Sequence, residues 1–296
     1  MDIRLSNGTC TAIVTTKGAE LIDFKDEQGI SYIWNGDPAY WIGRNPLLFP
    51  IVGNLKDGRI RMDGLDFFMN RHGFARDMEF DIVEQGSDFV VLELRSNEET
   101  LKKYPRNFIL QVRQTLEADG FTTAFKVVNK DTKIMPFCIG AHTAFNCPLK
   151  DGEAFSDYEI VFEKEETVHN ILLNGDGYIV GEAEGLMLDH TKVLPLSYEP
   201  FARMDTIIFK DLTSKQVAVR HKEKGHGIAM EFSGFPMMAF WTKGKEEAPF
   251  ICVEPWHGCA AFEQESGKFE DKAACLFLDA GESIELSYRV HRVLQL

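Results

Sequence analysis

Cysteine is scarce in this sequence, and its placement suggests neither cross-links nor a metal site. The six cysteines are scattered along 296 residues without a C-x-x-C pair, and a chain of this length does not depend on a disulfide framework. Cys252, His257 and Cys259 lie close together in sequence, but their spacing matches no usual zinc pattern, and the period of a strand would split them between two faces. We therefore predict reduced thiols and no bound metal.

Long apolar runs and an excess of positive charge are also missing. No uninterrupted apolar stretch approaches the roughly 18 residues of a membrane span, and the first residues lack the basic and apolar regions of a signal peptide. The formal net charge of −14 argues against a nucleic-acid partner and against an anionic membrane. We expect a cytoplasmic protein, although a few local arginines could still hold a phosphorylated substrate.

Three common catalytic motifs are absent as well. The sequence has no G-x-S-x-G elbow, no Walker-type Gly-Lys-Ser/Thr loop and no G-x-G-x-x-G after a strand. Cys147 could act as a nucleophile near His142, but a free cysteine is more often a small buried apolar residue. The usual signatures of serine hydrolases, P-loop NTPases and dinucleotide-binding enzymes are therefore missing.

What the sequence does contain is alternation of apolar and polar residues with a period of two, which is typical of half-buried strands. Residues 108–116 and 121–127 flank an Asp-Gly turn and predict a hairpin, as do residues 216–221 and 228–232. Helical signals are few: Ser96 and Glu99 predict a capping box for one short helix that Pro105 ends. With no linker and no repeat, we predict a single all-β domain, a large β-sandwich over residues 1–296.

Three segments interrupt the alternation and carry unusual polar side chains; they are residues 45–80, 137–149 and 248–258. His72 and Arg76 lie in the first, His142 in the second and Glu254 in the third. A purely structural interpretation stays open for the first two segments. His72 could be a loop histidine beside a surface ion pair, and His142 could be an interior histidine whose hydrogen bonds are satisfied. A carboxylate that closes a buried apolar run is costly unless it is partnered or functional. Two imidazoles, a guanidinium and a carboxylate would suit acid–base chemistry.

These segments resemble the aldose 1-epimerase (galactose mutarotase-like) superfamily, and look most similar to its LacX-like bacterial branch. The pieces that carry the resemblance occur in family order over roughly residues 18–260; they are GAELIDFKDEQGISYIWNGDPAYW, LLFPIVGNLKDG, RHGFARD, GAHTAFNCPL, RMDTIIFK and WTKGKEEAPFICVEPWHG. The resemblance implies the large mutarotase β-sandwich with few short helices, which agrees with the alternation.

The resemblance also implies roles for five residues. His142 would be the general acid that protonates the ring oxygen, and Glu254 the general base that takes the anomeric hydroxyl proton. His72, Arg76 and Asp205 would bind the substrate. The sequence departs from galactose mutarotases in one loop, since they carry an Asn-Arg pair where this chain has Gly-Asn at residues 53–54.

The function implied is interconversion of the α and β anomers of a hexose or hexose phosphate, with a small-molecule sugar as partner and no cofactor. Tryptophans are available to stack on the sugar: Trp41, Trp241 and Trp256. No cluster of Arg and Lys accompanies Arg76 in the three segments, which favours a free sugar. A non-catalytic carbohydrate-binding or regulatory protein on the same scaffold stays open, as does the oligomeric state.

Overall fold

The computed structural model describes residues 1–294, so the last two residues of the predicted domain, 295 and 296, lie outside the described part. The strands are, in chain order, β1 Asp2–Ser6, β2 Thr11–Thr15, β3 Leu21–Lys25, β4 Leu47–Leu48, β5 Arg59–Met62, β6 Leu65–Phe68, β7 Asp81–Gln85, β8 Phe89–Arg95, β9 Phe108–Leu116, β10 Gly120–Asn129, β11 Met135–Phe137, β12 Ile139–Ala141, β13 Thr143–Asn146, β14 Tyr158–Leu173, β15 Ile179–Pro195, β16 Thr206–Lys210, β17 Gln216–His221, β18 Gly227–Glu231, β19 Met237–Trp241, β20 Phe250–His257, β21 Leu276–Leu278 and β22 Ser283–Val293. The α-helices are α1 Glu98–Lys103 and α2 Tyr198–Met204.

Two large sheets dominate the architecture. A nine-stranded sheet has the order β15-β14-β17-β18-β22-β10-β9-β8-β7, and a six-stranded sheet has the order β16-β19-β20-β12-β4, with β13 also pairing with β20. A three-stranded sheet, β1-β2-β3, and two small two-stranded sheets complete the fold. The all-β class predicted from the alternation is confirmed, and both helices are short.

The strongest alternation produces the hairpin predicted for it. β9 and β10 pair antiparallel from Leu116 opposite Phe121 to Phe108 opposite Asn129, and every second residue of β9 is buried. Gln114 occupies one of these inward positions, where its side chain accepts from Thr123 Oγ1 at 2.7 Å, so this buried amide is satisfied.

The predicted helix near Ser96 is present, but it begins one residue later than expected. The N-cap of α1 is Asn97, whose side chain accepts from the backbone N–H groups of Glu99 and Thr100. Thr100 Oγ1 in turn accepts from the N–H of Asn97 at 2.8 Å. The capping box of Ser96 and Glu99 is therefore wrong, because asparagine is as strong an N-cap as serine. The Ser96 hydroxyl instead contacts Asn107 Oδ1 at 3.3 Å.

The core lies between the two large sheets. Phe162 of β14, in the nine-stranded sheet, has its ring centroid 6.0 Å from Phe209 of β16 and 6.2 Å from Phe240 of β19, both in the six-stranded sheet. Across the same core, Tyr288 of β22 accepts from Asn45 Nδ2 at 3.2 Å. One contiguous cluster of buried apolar residues includes members of both sheets. The six-stranded sheet is thus held from behind, and its other face is available for a site.

No helix in the described residues is long and apolar enough to cross a membrane.

Candidate active site

His142 and Glu254 face each other on neighbouring strands of the six-stranded sheet. β12 and β13 both pair antiparallel with β20, and their registers are continuous with one another. This register puts His142, the residue between β12 and β13, directly opposite Glu254 in β20. Opposed residues of an antiparallel pair project from the same face of a sheet. Pro255, which follows Glu254, has no N–H to donate, and the ladder is interrupted at this point.

The two side chains are close together and buried. His142 Nε2 lies 3.3 Å from Glu254 Oε2, and the residues are only 8% and 1% exposed. Burial raises the pKa of Glu254 well above its ordinary value, and the positive charge of Arg71 opposes that rise. Burial also lowers the pKa of His142 to about 3, with a further contribution from the charge of Arg76. Both groups are therefore held towards their neutral forms.

Three buried polar atoms at this position make no hydrogen bond of good geometry among the described residues; they are His142 Nδ1, Glu254 Oε2 and Trp256 Nε1, although Oε2 is 3.3 Å from His142 Nε2 and Trp256 acts on the Glu254 carboxylate. An unsatisfied buried donor or acceptor costs about 1–3 kcal/mol. Such groups are rare in native structures and require an explanation. A polar ligand bound beside this pair is the explanation that the arrangement favours.

His72 presents a hydrogen-bond donor to the same space. The backbone N–H of Gly53 donates to His72 Nδ1 at 3.1 Å, so in the neutral ring the proton is on Nε2. Burial lowers the pKa of His72 well below its ordinary value, which keeps the ring neutral. The ring stands edge-on to His142, with centroids 5.7 Å apart. His72 has φ +69°, and this uncommon backbone conformation turns its side chain out of the preceding loop.

Two tryptophans cover the imidazole of His142. The centroid of Trp41 lies 4.8 Å from that of His142 at an interplanar angle of 32°, and the Trp241 centroid lies 5.6 Å away at 79°. The Trp41 backbone is held in place because Trp34 Nε1 donates to the Trp41 carbonyl oxygen at 2.8 Å. Aromatic faces of this kind are suited to stacking on the apolar face of a sugar ring.

Two arginines, not one, lie on the opposite side of the cleft. Arg76 is half-buried, and its Nη2 donates to the Arg71 carbonyl oxygen at 2.9 Å. Arg71 Nε donates to Asn54 Oδ1 at 3.1 Å. The loop that lacks an arginine in sequence therefore has one beside it in space, supplied by the RHGFARD segment. The sequence interpretation found no cluster of Arg and Lys beside Arg76, and it passed over Arg71, which lies five residues earlier in the same segment.

Asp205 closes the site at the end of α2. It is the C-cap of that helix, with φ +63°, and it leads into β16 at the edge of the six-stranded sheet. Its carboxylate accepts from Thr206 Oγ1 at 3.0 Å and from Trp241 Nε1 at 3.4 Å. The side chain is exposed, so its oxygens retain the capacity to accept further hydrogen bonds from a ligand.

One open cleft of about 690 Å³ brings these residues together. All five predicted site residues line it: His142, Glu254, His72, Arg76 and Asp205. The three predicted tryptophans line it as well, and so does Arg71, which the sequence interpretation missed. The floor of the cleft is formed by the buried pair, its walls by aromatic rings, and its rim by two guanidinium groups and a carboxylate.

A group of side chains at the floor also has the chemistry of metal ligands. The donor atoms of His142, Cys252 and Glu254 all lie within 4.8 Å of one another. The group differs from the Cys252, His257 and Cys259 set weighed from the sequence. In that set, His257 Nδ1 contacts the Ala274 carbonyl oxygen at 2.7 Å. The side chain of His257 projects from the face of β20 opposite to that of Cys252.

Comparison with known proteins finds matches that extend over most of the chain. A family model described as "Aldose 1-epimerase" matches residues 1–290. A curated relative, "Protein LacX, chromosomal" from Lactococcus lactis subsp. lactis, is 36% identical over 279 residues, which cover 92% of this chain and 93% of that protein.

Two solved structures are similar to this protein over almost the whole length of its chain. A galactose mutarotase related enzyme from Lactobacillus acidophilus superposes with a TM-score of 0.93 at 26% identity, covering 100% of both chains. A galactose mutarotase-like protein from Lactobacillus casei gives a TM-score of 0.91 at 28% identity, covering 99% of this chain and 100% of that one. The galactose mutarotase-like fold implied by the sequence is confirmed.

Proposed function

The chain belongs to the aldose 1-epimerase family, and on that premise we propose that it interconverts the α and β anomers of an aldose. The observation that carries this proposal is the buried pair of His142 and Glu254, whose Nε2 and Oε2 atoms are 3.3 Å apart at the floor of the cleft. An acid and a base at this separation can both reach the O1 and O5 atoms of one pyranose with hydrogen bonds of ordinary length.

The proposed reaction opens and closes the sugar ring. Glu254 removes the proton of the anomeric hydroxyl while the protonated His142 gives its proton to the ring oxygen. The C1–O5 bond breaks, and C1 becomes a free aldehyde. After rotation about C1–C2, O5 attacks the other face of the aldehyde, His142 takes back its proton and Glu254 returns the other. No proton is gained or lost overall, so no cofactor is required.

The burial of the pair supports the ring-opening step. Before ring opening the pair is a carboxylate and an imidazolium, and afterwards it is a carboxylic acid and a neutral imidazole, with one proton shared in both cases. Burial raises the pKa of Glu254 and lowers that of His142, so the protein favours the neutral arrangement. The resting pair is neutral for the same reason, so a proton must first pass from Glu254 to His142 at a cost, and ring opening releases that cost by returning the pair to its neutral form.

The remaining site residues would bind and orient the sugar. His72 would donate from Nε2 to a ring or hydroxyl oxygen, and Arg76 would donate from its guanidinium. Asp205 would accept from hydroxyl groups at the open side of the cleft. Trp41 and Trp241 would exclude water from one face of the ring, which strengthens the polar contacts at the floor.

A polarimetric assay on anomerically pure aldoses tests this function. We expect the protein to accelerate mutarotation, and we expect Glu254→Gln to lower kcat by about 10²–10⁴ with little change in sugar binding. Glutamine keeps the shape and hydrogen bonding but cannot take a proton. His142→Asn should have a similar effect, and the double variant should be little worse than either single one, because the pair acts as a unit.

Two outcomes would contradict the proposal in different ways. A protein that shifts the NMR signals of a sugar without speeding its mutarotation would be the non-catalytic binder. A Glu254→Gln protein with near-normal kcat and a raised KM would make Glu254 a sugar ligand, and Asp205 would be the next candidate for the base.

A further inference from the structure

A second groove opens directly from the cleft that holds the catalytic pair. Its empty volume is about 1170 Å³, and it shares part of its lining with the cleft, including Arg71, Asp205 and Trp241. The groove continues along the end of α2 and the turn after β19. Neither His142 nor Glu254 lines it. A substrate whose anomeric carbon lies at the pair could therefore extend its opposite end into this groove.

The groove is lined by four cationic side chains, Arg71, Arg203, Lys243 and Lys245, against two carboxylates, Asp205 and Glu246. The whole chain has a formal net charge of −14, so a local excess of positive charge runs against the overall balance. A concentration of this kind attracts an anionic ligand and raises its local concentration.

Most of these cations have no carboxylate within ion-pairing distance among the described residues. Arg203 pairs with Glu199 at 3.0 Å, but none of the ion pairs in the described part of the chain involves Arg71, Lys243 or Lys245. Lys243 is nevertheless half-buried. A bound anion would supply a counter-ion to Lys243, which has none among the described residues.

The backbone is shaped so that Arg71 can reach the junction of the two spaces. Gly177 has φ +76°, and a Cβ atom there would lie 2.7 Å from Arg71 Nη2. The positive φ favours glycine at this position, and the absence of a side chain leaves room for the ends of Arg71 and Asn54. Asn54 accepts from Arg71 Nε at 3.1 Å, and Arg71 lines both the cleft and the groove.

We propose that this groove is a phosphate subsite, and that the substrate is an aldose phosphorylated at a position away from its anomeric carbon. The inference rests on the proposed function for the location of the anomeric carbon, but not for the binding of the phosphate. Arg71 supplies a planar fork suited to phosphate oxygens, while Lys243 and Lys245 supply point charges. Of the two carboxylates, Asp205 lies where the groove meets the cleft, whereas Glu246 lines only the groove, next to Lys245 in sequence.

The matched experiment compares Lys243→Gln/Lys245→Gln with Lys102→Gln/Lys130→Gln. Both double variants remove two positive charges, but Lys102 and Lys130 are exposed and line neither the cleft nor the groove. The substrates are an aldohexose 6-phosphate, the same free aldohexose and a reducing disaccharide. Binding of the first is also measured by calorimetric titration, using a Glu254→Gln background that cannot turn it over.

We expect wild type to favour the 6-phosphate. The groove variant should lose about tenfold to a hundredfold in kcat/KM for that substrate, mostly through KM, and should bind it correspondingly less tightly. Its activity on the free aldohexose should not change, and the control variant should match wild type throughout. Inorganic phosphate should compete with the 6-phosphate in wild type and much less in the groove variant.

Three results would overturn the subsite. The titration could show 6-phosphate binding that is unaffected in the groove variant, or the two double variants could lose affinity equally. A preference for the disaccharide, reduced by the groove changes, would show that a second sugar occupies the groove. If no sugar is anomerised but 6-phosphate binding depends on Lys243 and Lys245, the subsite stands and the proposed function fails.

Discussion

At the scale of single residues, burial acts in opposite directions on the two members of the pair, and this sets the expected pH dependence. The pKa of Glu254 is raised and that of His142 is lowered to about 3. Between these values the pair holds one proton, which is also the number that the proposed reaction needs.

We therefore expect kcat/KM to fall as the pH rises through the raised pKa of Glu254, where the pair loses its proton. The acid limb belongs to His142 and lies near pH 3. This reverses the order expected when the residues are considered without their burial, where the carboxylate sets the acid limb and the histidine the basic one. A pH–rate profile of kcat/KM measures this directly. A basic limb between pH 6 and 7 that disappears in His142→Asn would contradict it.

The same shift predicts a stability change in Glu254→Gln. The folded protein keeps a proton on Glu254 at pH values where the unfolded chain, with the ordinary pKa of 4.5, has released it. Wild-type stability therefore decreases as pH rises above 4.5 towards the raised folded pKa. Glutamine has no proton to lose.

We expect Glu254→Gln to melt at a higher temperature than wild type at pH 8 and at about the same temperature at pH 4. Scanning calorimetry at the two pH values is the measurement. Glu159→Gln, which removes a half-buried carboxylate paired with Arg220, is a control that should not gain stability. If Glu254→Gln instead melts at a lower temperature than wild type at pH 8, the Glu254 carboxylate makes a net favourable contribution to the stability of the folded protein.

At the scale of elements, β20 determines which side chains lie at the floor of the cleft and directly beneath it. Its period of two places Cys252 on the same face as Glu254, and the opposing position of His142 completes a group whose donor atoms lie within 4.8 Å of one another. Nitrogen, sulfur and oxygen donors are those that zinc prefers, at distances near 2.0–2.3 Å.

We predict that added Zn²⁺ inhibits the enzyme reversibly and competitively with the sugar, because the metal would take the acid and the base together. Cys252→Ser should weaken the inhibition, whereas Cys275→Ser, a half-buried thiol outside the cleft, should leave it unchanged. EDTA should reverse the inhibition and should not reduce the activity of untreated protein. Activity that is lost in EDTA and restored by zinc would instead identify a metal enzyme.

At the scale of the whole molecule, the site depends on a core that lies behind it. We propose that the chain folds as one domain, since residues of both large sheets share one buried cluster. Phe162 of the nine-stranded sheet packs on Phe209 and Phe240 of the six-stranded sheet and is almost fully buried.

Phe162→Ala should lower the free energy of unfolding by about 3–5 kcal/mol, because it leaves a cavity between the sheets. Its kcat at low temperature should stay close to that of wild type. Unfolding should remain one cooperative transition, with activity and near-ultraviolet circular dichroism lost together. Phe262→Ala, which removes an exposed ring, is the control. Two separate transitions would argue for two domains.

The amino-acid sequence by itself determined the class of the fold and several of its local elements, including two hairpins. Side chains of a strand project alternately to its two faces, so apolar residues at every second position mark a strand wherever it lies. The hairpin of β9 and β10 could be read from such a pattern and an Asp-Gly turn. The sequence also marked His72, His142 and Glu254, since each lies where alternation stops or a carboxylate ends an apolar run.

Only the tertiary structure decided which of these residues meet. That His142 lies opposite Glu254 depends on the register of β12, β13 and β20, and register between distant strands leaves no local signature. The same is true of Arg71 beside Asn54 and of the lysines after β19, which join one groove although the chain separates them. The alternation of apolar and polar residues indicates the face of the sheet from which a side chain projects. The order and register of the strands decide which other side chains lie beside it on that face.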